Sequence, residues 1–373
     1  MPLAPTAPGE RLVQLDVLRG LALFGVLLEN LQHFVVPSYA AFAAGPDATW
    51  LDQTALGAVR LLCDNKVYAI FAFLFGYGIA LQMRRTESGF VGIHLWRMAI
   101  LFLIGVAHSM LWDGDILATY ALLGILLLPL RNRRDSVLRS VTVGGLVAPS
   151  LVFLSLVAWA GTLDLTARDA LAESVAAHTY PLRQSSFAFA AFTLGLASGR
   201  RGALADAARF VARTRSALVP ALVVGGLCNI AALPLLDSPG QGSLSKSGIA
   251  IEVLLAIATP TLAFVYVHLA LHLFTRPDWS ARLRPIADVG RTTLTNYLLQ
   301  SAVGVAVLAR TGLGPLGPIT PPVGIVLAVA LFAAQVAASR WWLARFRFGP
   351  VEWLWRAATY GTLPPLRVPG QGR

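Results

Sequence analysis

Residues 95–130 read LWRMAILFLIGVAHSMLWDGDILATYALLGILLLPL, two apolar runs (95–112 and 114–130) on either side of the tight turn Trp112-Asp113-Gly114-Asp115. Crossing the hydrocarbon core of a bilayer takes a helix of roughly 20 mostly apolar residues. Backbone polar groups inside lipid must be satisfied within the chain, so runs of this kind predict helices rather than open sheets. Working outward, comparable runs cover 15–36, 66–82, 138–161, 185–199, 216–236, 248–273, 292–309 and 322–339. The expectation is an all-α polytopic transmembrane helical bundle of about ten spans. Hydrophobic residues make up 56% of the chain and charged residues 13%, and mean hydropathy is +0.66. That is too little charge to coat a soluble protein of this size.

Basic residues set the expected orientation. Arg84 and Arg85, Arg131 to Arg134, Arg200 to Arg215, Arg276 to Arg291 and Arg340 to Arg356 fall on alternate connections. The other set holds only Arg60, Lys66, Arg168, Arg183, Lys246 and Arg310. Both termini are therefore expected in the cytoplasm. The organisation read from this pattern is a cytoplasmic tail 1–14, an N-terminal membrane half 15–199 and a basic cytoplasmic linker 200–215, followed by a C-terminal membrane half 216–356 and a cytoplasmic tail 357–373. The net charge of +11 then reflects topology and attraction to anionic lipid rather than nucleic acid. The partner it implies is the lipid bilayer. Two cysteines, Cys63 and Cys228, make no disulfide framework.

Three connections carry amphipathic patterns. Residues 38–62 and 162–184 read as helices lying in the interface, the second ending at Tyr180-Pro181, and 275–290 reads as a surface helix on the arginine-rich side. Loop 237–247, rich in Gly and Ser, is expected to be mobile.

Polar groups at membrane depth are the functional clues, because a charge in hydrocarbon costs several kcal/mol. In the first run Asp16 and Arg19 are three apart, on one helical face and able to pair. Gly20 beside them admits a close neighbour. Glu29 and Asn30 lie toward the other end, Asn30 about 16 Å beyond Arg19 along the axis. His108 sits about 7 Å below the turn that carries Asp113 and Asp115. Held in one tautomer by a carboxylate it would serve as a general base; the structural alternative is a buried, satisfied histidine with Asp115 capping the next helix. Arg291 opens the ninth run, where Thr293, Asn296 and Gln300 form a polar stripe whose structural alternative is interhelical hydrogen bonding. Glu252 lies near the outer end of the eighth run, and His268 and His272 share a face near its inner end. Asp64 and Lys66 read as no more than a solvated pair at the outer start of the second. No metal-ligand spacing is present.

Five ordered motifs carry a resemblance. They are Leu15-Asp16-Val17-Leu18-Arg19-Gly20, Phe71-Ala72-Phe73-Leu74-Phe75-Gly76, His108 with Trp112-Asp113-Gly114-Asp115-Ile116-Leu117, the segment from Gly290 to Ser301, and the segment from Phe346 to Arg356. Together they resemble the YeiB-like bacterial membrane proteins, the domain-of-unknown-function 418 group, over nearly the whole chain and most weakly in 37–60 and 137–185. The first span is also similar to those of type-3 membrane acyltransferases and of heparan-glucosaminide N-acetyltransferase, which open with a similar Asp-x-x-Arg-Gly. The resemblance implies a bacterial cytoplasmic membrane location. It also implies transfer of an acyl group from cytoplasmic acyl-CoA, as donor substrate rather than bound cofactor, to an outward-facing small-molecule, lipid or glycan acceptor. In the type-3 enzymes a histidine follows the arginine by eleven residues; here Arg19 is followed by Asn30, which leaves His33 and His108 as the outer-side candidates for a base. The expected site is His108, Asp113 and Asp115 for catalysis, with Asp16, Arg19, Glu29, Asn30, Arg291, Asn296 and Gln300 for binding. Two other classes fit the same polar clusters. One is a transporter or exporter of a small solute, proton-coupled through Glu29, His108 and Asp115; the other is a non-enzymatic membrane assembly factor.

Overall fold

A computed structural model of the chain describes residues 11–35, 48–86, 89–112, 114–236, 246–308 and 319–368. Within its helices the side chains of 31–33, 35, 165–170, 172–180 and 307–308 are not described. The described residues are helical throughout apart from turns and a single bridge between Phe346 and Arg367. In chain order the helices are α1 (Val13–Val35), α2 (Trp50–Leu62), α3 (Lys66–Arg85), α4 (Phe90–Ser109), α5 (Leu117–Leu126), α6 (Asp135–Ala160) and α7 (Leu165–Arg200). They continue with α8 (Ala207–Leu236), α9 (Lys246–Phe274), α10 (Pro277–Arg291), α11 (Thr293–Val303), α12 (Pro321–Leu343) and α13 (Pro350–Tyr360). A 3₁₀ turn, Leu128–Leu130, prolongs α5, and a π turn, Gly304–Leu308, prolongs α11.

The hub is α1. Leu15, Val17, Leu18, Ala22, Leu23, Val26 and Leu27 are all buried, so apolar residues face neighbours all around it, as in a helix at the centre of a large bundle. It touches α2, α3, α9, α10, α11 and α12. By contrast α6 and α8 expose Val143, Leu151, Val219, Leu222 and Leu227, a surface that suits lipid and not water.

Among the described residues each of the ten apolar runs falls on a helix, but six stretches are long and apolar enough to cross a membrane. These are Trp50–Arg85, Phe90–Ser109, Asp135–Ala160, Ala207–Leu236, Lys246–Phe274 and Pro321–Leu343. The shorter apolar stretch Leu117–Leu130 extends only about 21 Å at 1.5 Å per residue, less than the roughly 30 Å hydrocarbon core. The 23 residues of α1 have the length to span but carry Asp16, Arg19 and Glu29.

Several expectations change. Residues 162–184 are not a separate helix: α7 runs unbroken for 36 residues through Pro181, and the short run 185–199 is its second half. Pro181 removes one hydrogen bond without stopping the helix because the downstream half packs tightly on α3, where a Cβ on Gly195 would strike the Phe73 carbonyl. The basic linker shrinks to the turn 201–206, with Leu204 fully buried. The final segment is no free tail either. Helix α13 crosses the 356/357 boundary and packs on α4 and α11. Helix α10 is amphipathic as read, but its buried Leu283, Ala287 and Gly290 dock on α1. Of the proposed helix at 38–62, α2 is seen, with Asp52, Ala55, Leu56 and Val59 buried and Trp50 exposed; residues 38–47 and most of loop 237–247 lie outside the described residues.

The arginine-rich connections gather at one end of the bundle. Gln14 donates to the Leu204 and Ala205 carbonyls, Arg200 to the Arg133 carbonyl, and Arg201 pairs with Asp135. At the opposite end Asn229 and Tyr266 donate to the Leu61 and Leu62 carbonyls, which ties α2 to α8 and α9.

Candidate functional site

The first turns of α1 set one side of the site. The Asp16 carboxylate, 3% exposed, accepts from Arg11 Nε at 2.6 Å and from Arg19 Nη1 at 3.0 Å. Gly20 and Gly290 let α1 and α10 touch backbone to backbone: a Cβ on Gly20 would meet the Ile286 carbonyl, and one on Gly290 the Asp16 carbonyl. This contact brings Arg291 to the same face as Arg19. Arg291 pairs loosely with Asp288 at 3.4 Å, and its Nε is buried without a partner. Burial, and then Arg11, hold its guanidinium below the usual arginine range, while burial pushes the Asp288 carboxyl up against the pull of Arg291.

From this face a cavity of about 1080 Å³ opens into the bundle. Its mouth carries Arg11 and Arg19 from α1, Arg84 and Arg85 from the end of α3, Arg97 from α4 and Arg291 from α10. The segment after α12 adds Arg347 and Arg356. Two carboxylates face these eight guanidiniums, Asp16 and Glu352, and Asp16 is already engaged by two of them. Below the mouth the lining turns apolar, through Leu74, Phe75, Met98 and Leu101 to a floor of Phe71, Ile116, Leu117, Tyr120 and Tyr297. From Arg84 to Phe71 along α3 is 13 residues, a depth of about 20 Å.

The mouth is completed by α13, held in place by Glu352. Its Oε1 accepts the backbone N–H of Leu294 at 2.7 Å and of Thr295 at 3.0 Å, and its Oε2 the Thr295 hydroxyl at 2.5 Å. The unpaired N–H groups and dipole of a helix N-terminus favour an anionic or accepting group, and α11 receives its cap from a distant helix. Burial nevertheless pushes the Glu352 carboxyl above its ordinary value, against the hydrogen bonds from Thr295 and Leu294. Trp96 donates to the Ala358 carbonyl at 2.8 Å, and Arg97 lies 4.6 Å over the Trp355 ring, so α13 is pinned to α4 as well.

Beyond the floor stands a histidine–aspartate pair. His108 Nδ1 is 2.8 Å from Asp115 Oδ1, with both side chains at most 3% exposed. Asp115 Oδ2 accepts the Ala118 N–H at 2.9 Å and so caps α5. Both sequence alternatives thus hold at once: the aspartate caps a helix and orients the imidazole. The carboxylate accepts from Nδ1–H, which leaves the lone pair on Nε2. That Nε2 is buried without a partner. The ring packs against Trp112 and against Tyr297, 5.1 Å between centroids. Tyr297 lines the cavity and points its hydroxyl at the Gly114 carbonyl, 3.4 Å away. It therefore separates the cavity from His108. Asp113 lies outside the described residues, as does the side chain of His33.

Asn30, the position of the missing histidine, accepts from the Tyr68 hydroxyl at 2.7 Å, and the Tyr68 carbonyl accepts from the Tyr120 hydroxyl at 3.0 Å. Asn30 thereby fixes two aromatic rings near the floor. Glu29 is 3% exposed, with one oxygen unpartnered. Glu252 is tied to Arg183 at 2.5 Å. Asn296 and Gln300 stand elsewhere. Asn296 donates to Ser339 and Thr292, Gln300 to Gln335, and Gln335 back to the Asn296 carbonyl. That knot joins α11 to α12 and does not contribute to the cavity lining.

The structure thus brings Asp16, Arg19 and Arg291 together at the mouth, and His108 with Asp115 behind the floor. Sequence reasoning missed Arg11, Arg84, Arg85, Arg97, Arg347, Arg356, Glu352 and Tyr297 as site residues. The last four lie inside the resembling motifs, a signal that was present; Arg97 is an arginine inside an apolar run, the rule already applied to Arg19.

Residues 198–362 match a family model described as a protein of unknown function (DUF418). The chain is 30% identical to the uncharacterized protein YxaH of Bacillus subtilis (strain 168), over 98% of both chains. It is 29% identical to an uncharacterized 39.9 kDa protein in the amylase 3' region of Bacillus acidopullulyticus, over 97% of both. Against the uncharacterized protein YeiB of Escherichia coli (strain K12) the identity is 28%, over 95% of this chain and 98% of that one. These relatives extend the likeness across α1 and the α4–α5 turn, which the family model does not reach.

Proposed function

We propose that this chain, which belongs to the DUF418 family, passes an acyl group from acyl-CoA bound at its arginine-rich end to an acceptor at the opposite end. The arginine-rich end faces the cytoplasm by the positive-inside rule, in a bacterial cytoplasmic membrane, with both termini on that side and about ten crossings.

One observation carries the reading: a cavity about 1080 Å³ in volume has eight arginines at its mouth and a floor, Tyr297, that rests on the His108–Asp115 pair. Guanidiniums bind phosphate oxygens through paired hydrogen bonds. The apolar shaft then admits an extended thioester arm while excluding water. At the floor His108 Nε2 takes the proton from the acceptor hydroxyl or amine, whose oxygen or nitrogen attacks the thioester carbonyl. The carbon–sulfur bond breaks, the thiolate leaves and takes up a proton, and the products are an acylated acceptor and free CoA. Asp115 stabilises the imidazolium that forms in between. Tyr297 has to swing aside for the carbonyl to reach Nε2.

The test is a thermal shift of the purified protein in nanodiscs with acetyl-CoA. Stabilisation that is lost in Arg19→Ala is the expected result. No shift, together with solute flux in reconstituted vesicles, would overturn transfer in favour of transport.

A further inference from the structure

A second, smaller pocket lies across the wall that closes the cavity. Its volume is about 40 Å³, and it forms where the start of α3 (Asn65, Tyr68), the start of α5 (Asp115, Thr119, Tyr120) and the middle of α7 (Gln184) meet. Ile116 and Tyr120 line both spaces, so one layer of side chains divides them. The far ends of the three elements carry Arg84 and Arg85, Arg131 and Arg200, whereas α7 holds Arg168 and Arg183 on the near side; the pocket thus lies away from the arginine-rich end of the bundle.

The two compartments differ in charge. Eight guanidiniums and two carboxylates line the cavity; a single ionisable carboxyl, Asp115, lines the pocket, together with the amides of Asn65 and Gln184 and the Thr119 hydroxyl. Neighbouring cations are directed elsewhere. Arg183, next to Gln184 on α7, holds Glu252 at 2.5 Å, and Lys66 donates to the Arg60 carbonyl at 3.1 Å, within reach of the charges of Asp64 and Glu29. His108 does not line the pocket but is bonded to the Asp115 carboxylate that does, so the acceptor group meets Nε2 only when Tyr297 swings aside and the Ile116–Tyr120 wall opens. Asn65 enters the pocket from a left-handed backbone, φ 63, the one non-glycine of that kind among the described residues. Such backbone strain persists where the surrounding structure holds it and gathers at functional sites.

We propose that this pocket is the acceptor subsite, and that it takes one hydroxyl or amine group, neutral or cationic and never anionic, of a larger molecule. The word acceptor rests on the transfer reading; the ligand chemistry rests on the pocket alone. Sites that bury whole ligands measure roughly 300–1,000 Å³, whereas about 40 Å³ holds a few heavy atoms. The bulk of the acceptor therefore stays outside the bundle. Asp115 and the two amides orient the N–H or O–H group, next to the wall behind which the donor waits.

The experiment is charge-selective thiol labelling of the full chain in nanodiscs, in a Cys63→Ala, Cys228→Ala background. Thr119→Cys reports on the pocket and Gln82→Cys on the cavity, with Gln184→Cys as a second pocket reporter if the first does not fold. Rates with the cationic reagent aminoethyl methanethiosulfonate and the anionic reagent sulfonatoethyl methanethiosulfonate are each divided by those for free cysteine. The expected result is a preference of about tenfold for the cation in the pocket and the reverse preference in the cavity. Millimolar ethanolamine should slow pocket labelling, and glycolate should not. Equal normalised rates in the pocket, or no protection by ethanolamine, would overturn the proposal. Pocket protection without any shift by acetyl-CoA would leave the subsite standing and remove the transfer reading; the converse would remove the subsite alone.

Discussion

Glu352 offers the sharpest test of how the cavity mouth is built, because one side chain from α13 caps α11 at Leu294, 58 residues earlier. Glu352→Ala removes three hydrogen bonds, from the Leu294 and Thr295 amides and the Thr295 hydroxyl. Bonds to a charged acceptor are worth about 1.5–3 kcal/mol each, and neutral ones about 1 kcal/mol. Burial raises the Glu352 carboxyl and so offsets part of what a charged acceptor adds, and about 1 kcal/mol per bond is taken as the lower figure. The expected loss is about 3 kcal/mol, roughly a hundredfold in the opening equilibrium of α13. Glu352→Gln keeps one oxygen for the two amides and turns its NH₂ toward the Thr295 oxygen, so its cost should be about 1 kcal/mol or less. The assay is hydrogen exchange of the α13 amides in nanodiscs, with exchange in α9 as internal reference. Faster exchange confined to α13 and the start of α11, large in Ala and small in Gln, is expected. Because Arg356, Trp355 and Tyr360 leave the mouth with α13, the Ala variant should also lose any stabilisation by acetyl-CoA. Unchanged α13 exchange in Glu352→Ala would refute the latch.

The same carboxyl gives a pH dependence. With its folded pKa raised above the ordinary 4.5, its contribution is present in full below that value and is lost as pH rises through the folded value. Protection of the α13 amides, taken relative to intrinsic exchange at each pH, should therefore rise on acidification, and Glu352→Gln should remove that dependence. His108→Gln should fold and insert normally and lose transfer activity; retained activity would remove His108 as the base, and unfolding would make it structural. Gly290→Ala puts a Cβ into the Asp16 carbonyl and should destabilise by more than about 2 kcal/mol, in the range of overpacked cores, whereas Gly226→Ala, with open space at its Cβ, should be neutral or stabilising by up to about 1 kcal/mol. Thermal unfolding of the two variants in one detergent compares them directly. Finally, Thr162→Cys, exposed in the α6–α7 turn, should label from outside intact cells in the cysteine-free background. Labelling only after permeabilisation would reverse the orientation.

Much of this protein could be read without coordinates, and the readable part is the local part. Apolar runs predict helices because a helix satisfies its own backbone within a few residues, and every run does lie on one. The Asp16–Arg19 pair follows from a three-residue spacing. The His108–Asp115 contact follows from a turn too tight to carry the two ends of the α4–α5 hairpin apart. Where a signal depended on what packs alongside, the sequence did not choose: Pro181 looked like a stop, and the polar stripe of Asn296 and Gln300 fitted a binding face and interhelical hydrogen bonding alike. Pairing with α3 carries the helix through the proline, and Ser339 and Gln335 of α12 absorb the stripe.

The chain by itself determined that this is a helical membrane bundle with arginines at one end and a histidine–carboxylate pair at the other, since composition, periodicity and short-range spacing are local properties. Only the tertiary structure decided that Arg11, Arg97, Arg347 and Arg356 join Arg19 and Arg291 around one cavity, and that Tyr297 closes its floor against His108. Those residues come from six separate segments, and what brings them together is long-range packing: backbone contact at Gly20 and Gly290, and the Glu352 cap on α11. No window along the sequence encodes contacts whose halves lie from 58 residues to hundreds of residues apart.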